Sequence, residues 1–277
     1  MFDFLTETFM LRALIVGILV SLTSALLGVS LVLKRYSMIG DGLSHVGFGA
    51  LSIAAVFGIA PLAVALPVVT VAAFLLLRLN ESSKIKGDSA IAIISTGSLA
   101  IGIIAVSISG GMTVDISNYL FGSILTMSHS DVVLSTILAS SVILIFVLFY
   151  NKIFAVTFDE SFSRATGIRA GGYNSLIAVL TAVTVVVGMR MMGTLLISSL
   201  IIFPALTSIR IFKSFKSVII CSSVLSVSCF FIGLVSSYIL ETPTGATVVY
   251  INIIAYIVFY LISYIKRKLL QHRRSAS

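Results

Sequence analysis

Charge is the scarcest property of this sequence. Of 277 residues, 18 are Lys or Arg and 10 are Asp or Glu, so that 10% are charged whereas 58% are apolar. In soluble globular domains about a quarter of all residues are charged, so this class of protein is excluded. A membrane-spanning helix uses about 20 mainly apolar residues, so the chain has room for about eight to ten crossings and for no additional soluble domain.

Proline, cysteine and catalytic motifs are also rare. There are 4 prolines and no Gly/Ser-rich tract, which indicates one integral membrane domain, 1–277. Cys221 and Cys229 lie in the same apolar run and are predicted to be small buried side chains rather than a disulfide or metal pair.

No lysine follows a glycine, so the Gly-Lys-Ser/Thr phosphate loop is missing and ATP must be bound by another chain. Neither His-Glu-x-x-His nor Gly-x-Ser-x-Gly occurs, which argues against an intramembrane hydrolase and for a non-enzymatic role.

Apolar runs predict an all-α, polytopic bundle. Each run is bounded by charged or turn-forming residues and is long enough to cross a bilayer. Nine such runs fall at 13–33, 39–59, 61–79, 90–109, 132–150, 173–188, 192–209, 218–240 and 245–265. A count of eight is the alternative, and it would reverse the side of the N-terminus.

The basic residues sort by membrane side. With nine alternating spans, 16 of the 18 basic residues fall on one side, which the positive-inside rule makes the cytoplasm. The N-terminus is then outside, and the exceptions Arg12 and Arg190 lie near helix ends, where long side chains can snorkel. The net charge of +8 thus reflects topology rather than nucleic-acid binding. The cytoplasmic set is Lys34, Arg35, Arg78, Lys84, Lys86, Lys152, Arg164, Arg169, Arg210, Lys213, Lys216, Lys266, Arg267, Lys268, Arg273 and Arg274.

Two stretches depart from the pattern of span and loop. Residues 110–131 are predicted to form an outside loop with a half-helix or re-entrant piece over 119–127. Residues 151–172 form the longest polar stretch. Within it, Asp159 and Glu160 precede Gly167 at the spacing of a short cytoplasmic helix with an acidic start and a glycine end.

The second span carries an acid and an imidazole. Asp41 and His45 are four residues apart and therefore lie on one helical face. Ionisable residues in a span are costly and indicate a functional site, and carboxylate oxygen and imidazole nitrogen both suit Zn²⁺. Polar contacts between helices are the alternative. Because two ligands are too few, a twofold dimer with its axis beside this span would complete a four-coordinate set.

Five motifs resemble the ABC-3 family of permeases, the membrane subunits of bacterial zinc and manganese ABC importers. The matching segments, 33–45, 119–125, 158–167, 193–204 and 243–246, occur in the family's order along nearly the whole chain. The resemblance implies a type II importer fold in the cytoplasmic membrane, similar to the vitamin B12 permease, in a homodimer. Its implied partners are two copies of a cytoplasmic ATPase and an external metal-binding protein.

The resemblance also assigns residues. Asp41 and His45 match the Asp and His that family members use for the translocated metal. The segment of Phe158, Asp159, Glu160, Ser161, Phe162, Ser163, Arg164, Ala165, Thr166 and Gly167 resembles the coupling helix that enters a groove of the ATPase. No cofactor is held permanently, and the residues after His45 are closer to zinc than to manganese members.

Several alternatives stay open at this point. A self-sufficient channel or secondary transporter would carry metal without an ATPase. His129 is interpreted as part of a helix-capping segment or as an outer relay ligand, and Glu241 as part of a turn or a contact for the external protein. Metal binding should weaken once the imidazole of His45 is protonated.

Overall fold

The computed structural model describes residues 7–82, 87–108, 122 and 129–275. All regular secondary structure in this part of the chain is helical, which confirms the predicted class. The helices are α1 (Thr8–Leu33), α2 (Ile39–Val56), α3 (Pro61–Ser82), α4 (Gly87–Ile108), α5 (His129–Leu148), α6 (Tyr150–Phe158), α7 (Glu160–Ala165), α8 (Ala170–Met192), α9 (Thr194–Ile211), α10 (Phe215–Leu240) and α11 (Thr244–Ser275).

Nine of the described helices are long and apolar enough to cross a membrane, as the apolar runs predicted. The short helices α6 and α7 lie between the fifth and sixth of these spans. The re-entrant piece predicted over 119–127 falls, apart from Gly122, outside the described residues.

The spans form an inner and an outer group. In α1, α2 and α8, 72% of the most apolar stretch is buried, compared with 22% in α4 and α5 and 11% in α11. The large apolar side chains of the outer helices are therefore left for lipid or for another chain. The second span, which carries Asp41 and His45, belongs to the inner group.

Small residues bring the inner helices close together. A Cβ atom at Gly28 of α1 would overlap the backbone carbonyl of Ile201 in α9. On the α10 side, Ser226 Oγ donates a hydrogen bond to the Ser21 carbonyl at 2.9 Å. Lipid is as apolar as the side chains, so such close van der Waals contacts, rather than hydrophobic burial, hold membrane helices together.

Helix α2 is surrounded in the same way. A Cβ atom at Gly49 would lie 2.6 Å from the carbonyl oxygen of Ser98 in α4, and one at Gly42 would lie 2.8 Å from Ile91. At Gly47 it would overlap the Met189 side chain of α8. The glycines thus fix α2 against two neighbours and leave little freedom in where its polar side chains point.

The two cysteines are free thiols on α10, Cys229 buried and Cys221 half-buried. Both belong to an apolar span, where the sequence predicted small buried side chains. They act as small apolar side chains.

The close approach at Gly28 gives a testable prediction. Gly28→Val should lower stability by about 1–3 kcal/mol because the added methyl groups force α1 away from α9. The midpoint of thermal aggregation, followed by size-exclusion chromatography, measures the loss. Gly97→Ala is the control, because no atom lies within 4 Å of a Cβ at that position in α4. Equal midpoints for the two variants would contradict the packing.

Candidate functional site

Asp41 and His45 lie together in the first turns of α2. Asp41 is in the first turn, and His45 lies about 9 Å along the helix from its start. His45 Nε2 and Asp41 Oδ2 are 3.7 Å apart, and the two side chains are 24% and 35% exposed. The predicted pair is therefore on one face and half-open.

The separation of these two atoms suits a shared metal ion. Ligand atoms at about 2.0–2.2 Å from a tetrahedral Zn²⁺ lie about 3.3–3.6 Å from each other. At 3.7 Å the two atoms are too far apart for a direct hydrogen bond. Only a small side-chain movement would bring them to the separation of two zinc ligands. A nearby hydrogen bond of Ser44 Oγ to the Asp41 carbonyl, 2.7 Å long, stabilises this first turn.

One copy of the chain supplies only part of a coordination shell. Among the described residues no group of three or more His, Cys, Asp and Glu side chains is close enough to hold a metal. A half-exposed carboxylate within a span cannot face lipid without a large cost. The open side of Asp41 and His45 therefore requires an aqueous path or another protein surface.

The second candidate region is the segment around α7, which the basic residues predict to be cytoplasmic. Asp159 caps the helix, because its Oδ1 accepts a hydrogen bond from the Phe162 amide at 2.8 Å. At the other end Gly167 has φ +82°, and the amide of Ile168 donates to the Ser163 carbonyl at 2.9 Å. This is a Schellman end, which needs a residue such as glycine in the left-handed region. The predicted acidic start and glycine end are both present.

Two details show how the segment 158–167 is built. Phe158 is the last residue of α6, because the extended backbone of Asp159, with ψ 100°, ends one helix before it caps the next. Ser163 is fully buried within this chain. The exposed aromatic side chains are Phe158 and Phe162, at 57% and 63%.

A polar network connects α7 to the ends of two spans. Glu160 Oε1 accepts a hydrogen bond from Arg164 Nη2 at 2.6 Å, and Glu160 Oε2 accepts one from Asn174 Nδ2 at 3.0 Å. Lys34 Nζ lies 3.7 Å from the same Oε2 and donates to Asn174 Oδ1 at 2.5 Å. Lys34 follows α1 directly and Asn174 is in α8, so one carboxylate joins three helices.

This environment keeps Glu160 ionised. Burial alone would raise its pKa, but the hydrogen bonds from Asn174 and Arg164 and the charges of Lys34 and Arg164 outweigh burial and hold the pKa below the usual value. The Lys34 side chain is only 8% exposed. A cation this buried requires a paired anion, which Glu160 provides.

Comparison with known proteins identifies the family. The model of the ABC 3 transport family matches residues 6–263. The chain belongs to this family. ScaB, the manganese import system permease protein of Streptococcus gordonii, is 29% identical over 264 residues, which cover 94% of this chain and 95% of ScaB. ZnuB, the membrane protein of a high-affinity zinc uptake system in Haemophilus influenzae, is 27% identical over 237 residues, 86% of this chain and 91% of ZnuB.

A solved structure agrees with the fold of this ABC 3 family member. PsaBC from Streptococcus pneumoniae, in complex with Fab, superposes with a TM-score of 0.82 at 28% sequence identity, over 95% of this chain and 93% of that chain. The resemblance seen in the five motifs is thus confirmed. Together with the nine apolar helices, the family makes the chain a multi-pass protein of the bacterial cytoplasmic membrane.

The remaining candidates lie at the opposite end of the bundle from α7. His129 is exposed and begins α5. Glu241 follows α10 in the left-handed conformation, with φ 52°. Arg190, one of the two basic residues that the topology does not place in the cytoplasm, pairs with Asp131 at 2.8 Å. The outer end is therefore tied by an ion pair between α5 and α8.

Sequence reasoning did not assign Lys34 and Asn174 to the site around Glu160. The loop position of Lys34 predicts its membrane side and not a contact, and hydropathy places Asn174 within an apolar run. A polar amide in the first turn of a span is the signal that could have marked Asn174.

The pKa of Glu160 gives a stability prediction. Since that pKa is lower in the folded chain than in the unfolded one, the network stabilises the fold above the ordinary glutamate value of 4.5, and this contribution is lost as the pH falls through the folded pKa. Thermal melting of the detergent-purified chain should show Glu160→Gln melting below wild type near neutral pH, with the difference shrinking below pH 4.5. A difference that grows on acidification would contradict the network.

Proposed function

We propose that this chain is the permease of an ABC importer for a divalent transition metal, favouring Zn²⁺ over Mn²⁺. It works as a homodimer with two copies of a cytoplasmic ATPase and receives the ion from an extracytoplasmic metal-binding protein. The observation that carries this proposal is the half-exposed Asp41 and His45 pair, whose ligand atoms are 3.7 Å apart on an otherwise buried span.

The dimer follows from the coordination requirement. One copy offers two ligands, and a twofold axis beside α2 would bring two Asp41 carboxylates and two His45 imidazoles together. The half-exposure of both side chains supports an axis on their open side. A metal on this axis would be reachable from both copies and shielded from lipid.

The choice of ion rests on ligand chemistry. Imidazole nitrogen binds Zn²⁺ more strongly than Mn²⁺, which prefers oxygen ligands. The residues that follow His45 favour the same choice through their resemblance to zinc members of the family. Relatives named for manganese and for zinc are similar to this chain to about the same degree, so their names do not decide between the ions.

Energy would enter through the coupling segment, 158–167. No lysine of this chain follows a glycine, so ATP is assigned to a separate subunit. The exposed Phe158 and Phe162 offer apolar anchors of the kind that fill pockets in a partner. ATP-driven opening and closing of the ATPase would then alternate the access of the Asp41 and His45 site between the two membrane sides.

Uptake by variants tests this proposal. In proteoliposomes that contain the permease, its ATPase, its binding protein and ATP, Asp41→Asn and His45→Gln should each lower the initial rate of zinc uptake by more than about 100-fold, because a direct ligand matters more than an outer-shell residue. Asp88→Asn, at an exposed position of α4, and His272→Gln, in the basic tail, are matched controls and should keep wild-type rates.

Two results would contradict the proposal. Wild-type zinc and manganese uptake by both site variants would remove Asp41 and His45 from the pathway. Metal flux through vesicles that hold the wild-type chain alone would favour the ATPase-independent channel or secondary transporter. The ratio of initial zinc and manganese rates, measured in competition, decides the ion.

A further inference from the structure

We infer that Glu160, Asn174 and Lys34 form a polar relay that carries movement of the coupling segment to the head of α2, where the metal site lies. The inference rests on the proposed function. It assigns positioning roles to three residues that contact neither metal nor ATP.

The relay begins at a carboxylate shared by an exposed and a buried partner. Glu160 Oε1 contacts Arg164, which is 65% exposed, whereas Glu160 Oε2 contacts the buried Asn174 and lies 3.7 Å from Lys34. A protein that binds around α7 meets Arg164 on the outer side. Any resulting shift of the Glu160 carboxylate moves the acceptor on which the inner partners depend.

Polar contacts, rather than apolar packing, link α7 to the bundle. Ser163 is the one buried residue of this six-residue helix, and it adds no apolar side chain. Glu160 instead provides an ion pair and a hydrogen bond to two spans. A tether of this kind is directional, since a small displacement lengthens specific bonds.

The relay ends in a tightly hydrogen-bonded turn. After Lys34, Arg35 adopts φ 63°, and the Tyr36 amide donates to the Leu31 carbonyl at 2.8 Å. The Ile39 amide then donates to the Tyr36 carbonyl at 3.0 Å, so α2 begins directly after this hydrogen-bonded turn. Displacement of Lys34 is therefore passed to the first turn of α2, which contains Asp41.

The relay also explains why a lysine is buried at this point. Its side chain is 8% exposed, although the neighbouring cytoplasm would hydrate it at no cost. A buried cation that keeps its anion in place makes the position of α7 and the position of the α1–α2 turn depend on each other. Neutral side chains would pack here without that dependence.

The coupling ratio, which is the number of zinc ions transported per ATP hydrolysed, tests the relay. In proteoliposomes with ATPase and binding protein, Lys34→Met and Asn174→Leu, which lie outside the coupling segment, should keep the ATPase bound and hydrolysing ATP, while zinc transported per ATP falls at least about fivefold. The charge exchange Lys34→Glu with Glu160→Lys should recover most of the ratio. Asp131→Asn, which removes the negative charge from the 2.8 Å pair with Arg190, is the control and should leave the ratio unchanged.

A spectroscopic measurement distinguishes the relay from a purely stabilising role of these residues. A spin label at Met38→Cys, with Cys221→Ser and Cys229→Ser, reports the distance between the two α2 heads. We expect this distance to change with nucleotide in the wild-type background and to stay fixed in Lys34→Met.

Three outcomes would overturn the relay: a wild-type coupling ratio in both single variants, a nucleotide-dependent distance change in Lys34→Met, or loss of ATPase binding in Lys34→Met, which would make Lys34 a docking residue. A wild-type chain that binds no ATPase and transports no metal would overturn the proposed function itself.

Discussion

The cost of placing polar groups in hydrocarbon governs this molecule. Lipid cannot solvate a charge or an unpaired backbone group, so each charge within the bundle must be paired or face an aqueous path. Two ion pairs show the first solution: Lys34 with Glu160 at 3.7 Å and Arg190 with Asp131 at 2.8 Å. Asp41 and His45 stay half-exposed on a buried helix, so their open side must face an aqueous path or another protein surface.

The same cost bears on how the proposed relay would work. Small residues, such as Gly28 and Gly49, let the inner helices touch along their backbones, which packs them closely. Lys34, at the end of α1, contacts Asn174 and Glu160, and the α1–α2 turn that follows it leads to the first turn of α2, which contains Asp41. The proposed coupling between α7 and Asp41 therefore needs only this short path.

Much of this architecture could be predicted from the sequence. Hydropathy identifies a span by length and composition alone, so the nine spans and the start of α2 at Ile39 were predicted correctly. Helix ends with local signals, such as Asp159 and Gly167, were predicted as well, because caps depend on neighbours in sequence.

Contacts between distant residues could not be predicted in this way. The pairing of Arg190 with Asp131, the burial of Ser163 and the contact of Lys34 with Asn174 depend on how helices pack, and hydropathy carries no such information. Hydropathy also carries no information about a metal shared between two copies, because that hypothesis concerns atoms on different chains.

We propose that one metal ion is held between two copies of Asp41 and His45. Anomalous diffraction from the zinc-loaded permease, collected at the zinc absorption edge, tests it most directly. One ion per two chains is expected, with imidazole nitrogen and carboxylate oxygen of both copies at about 2.0–2.2 Å. An ion bound within each chain by other residues, or no ion within reach of Asp41 and His45, would contradict it.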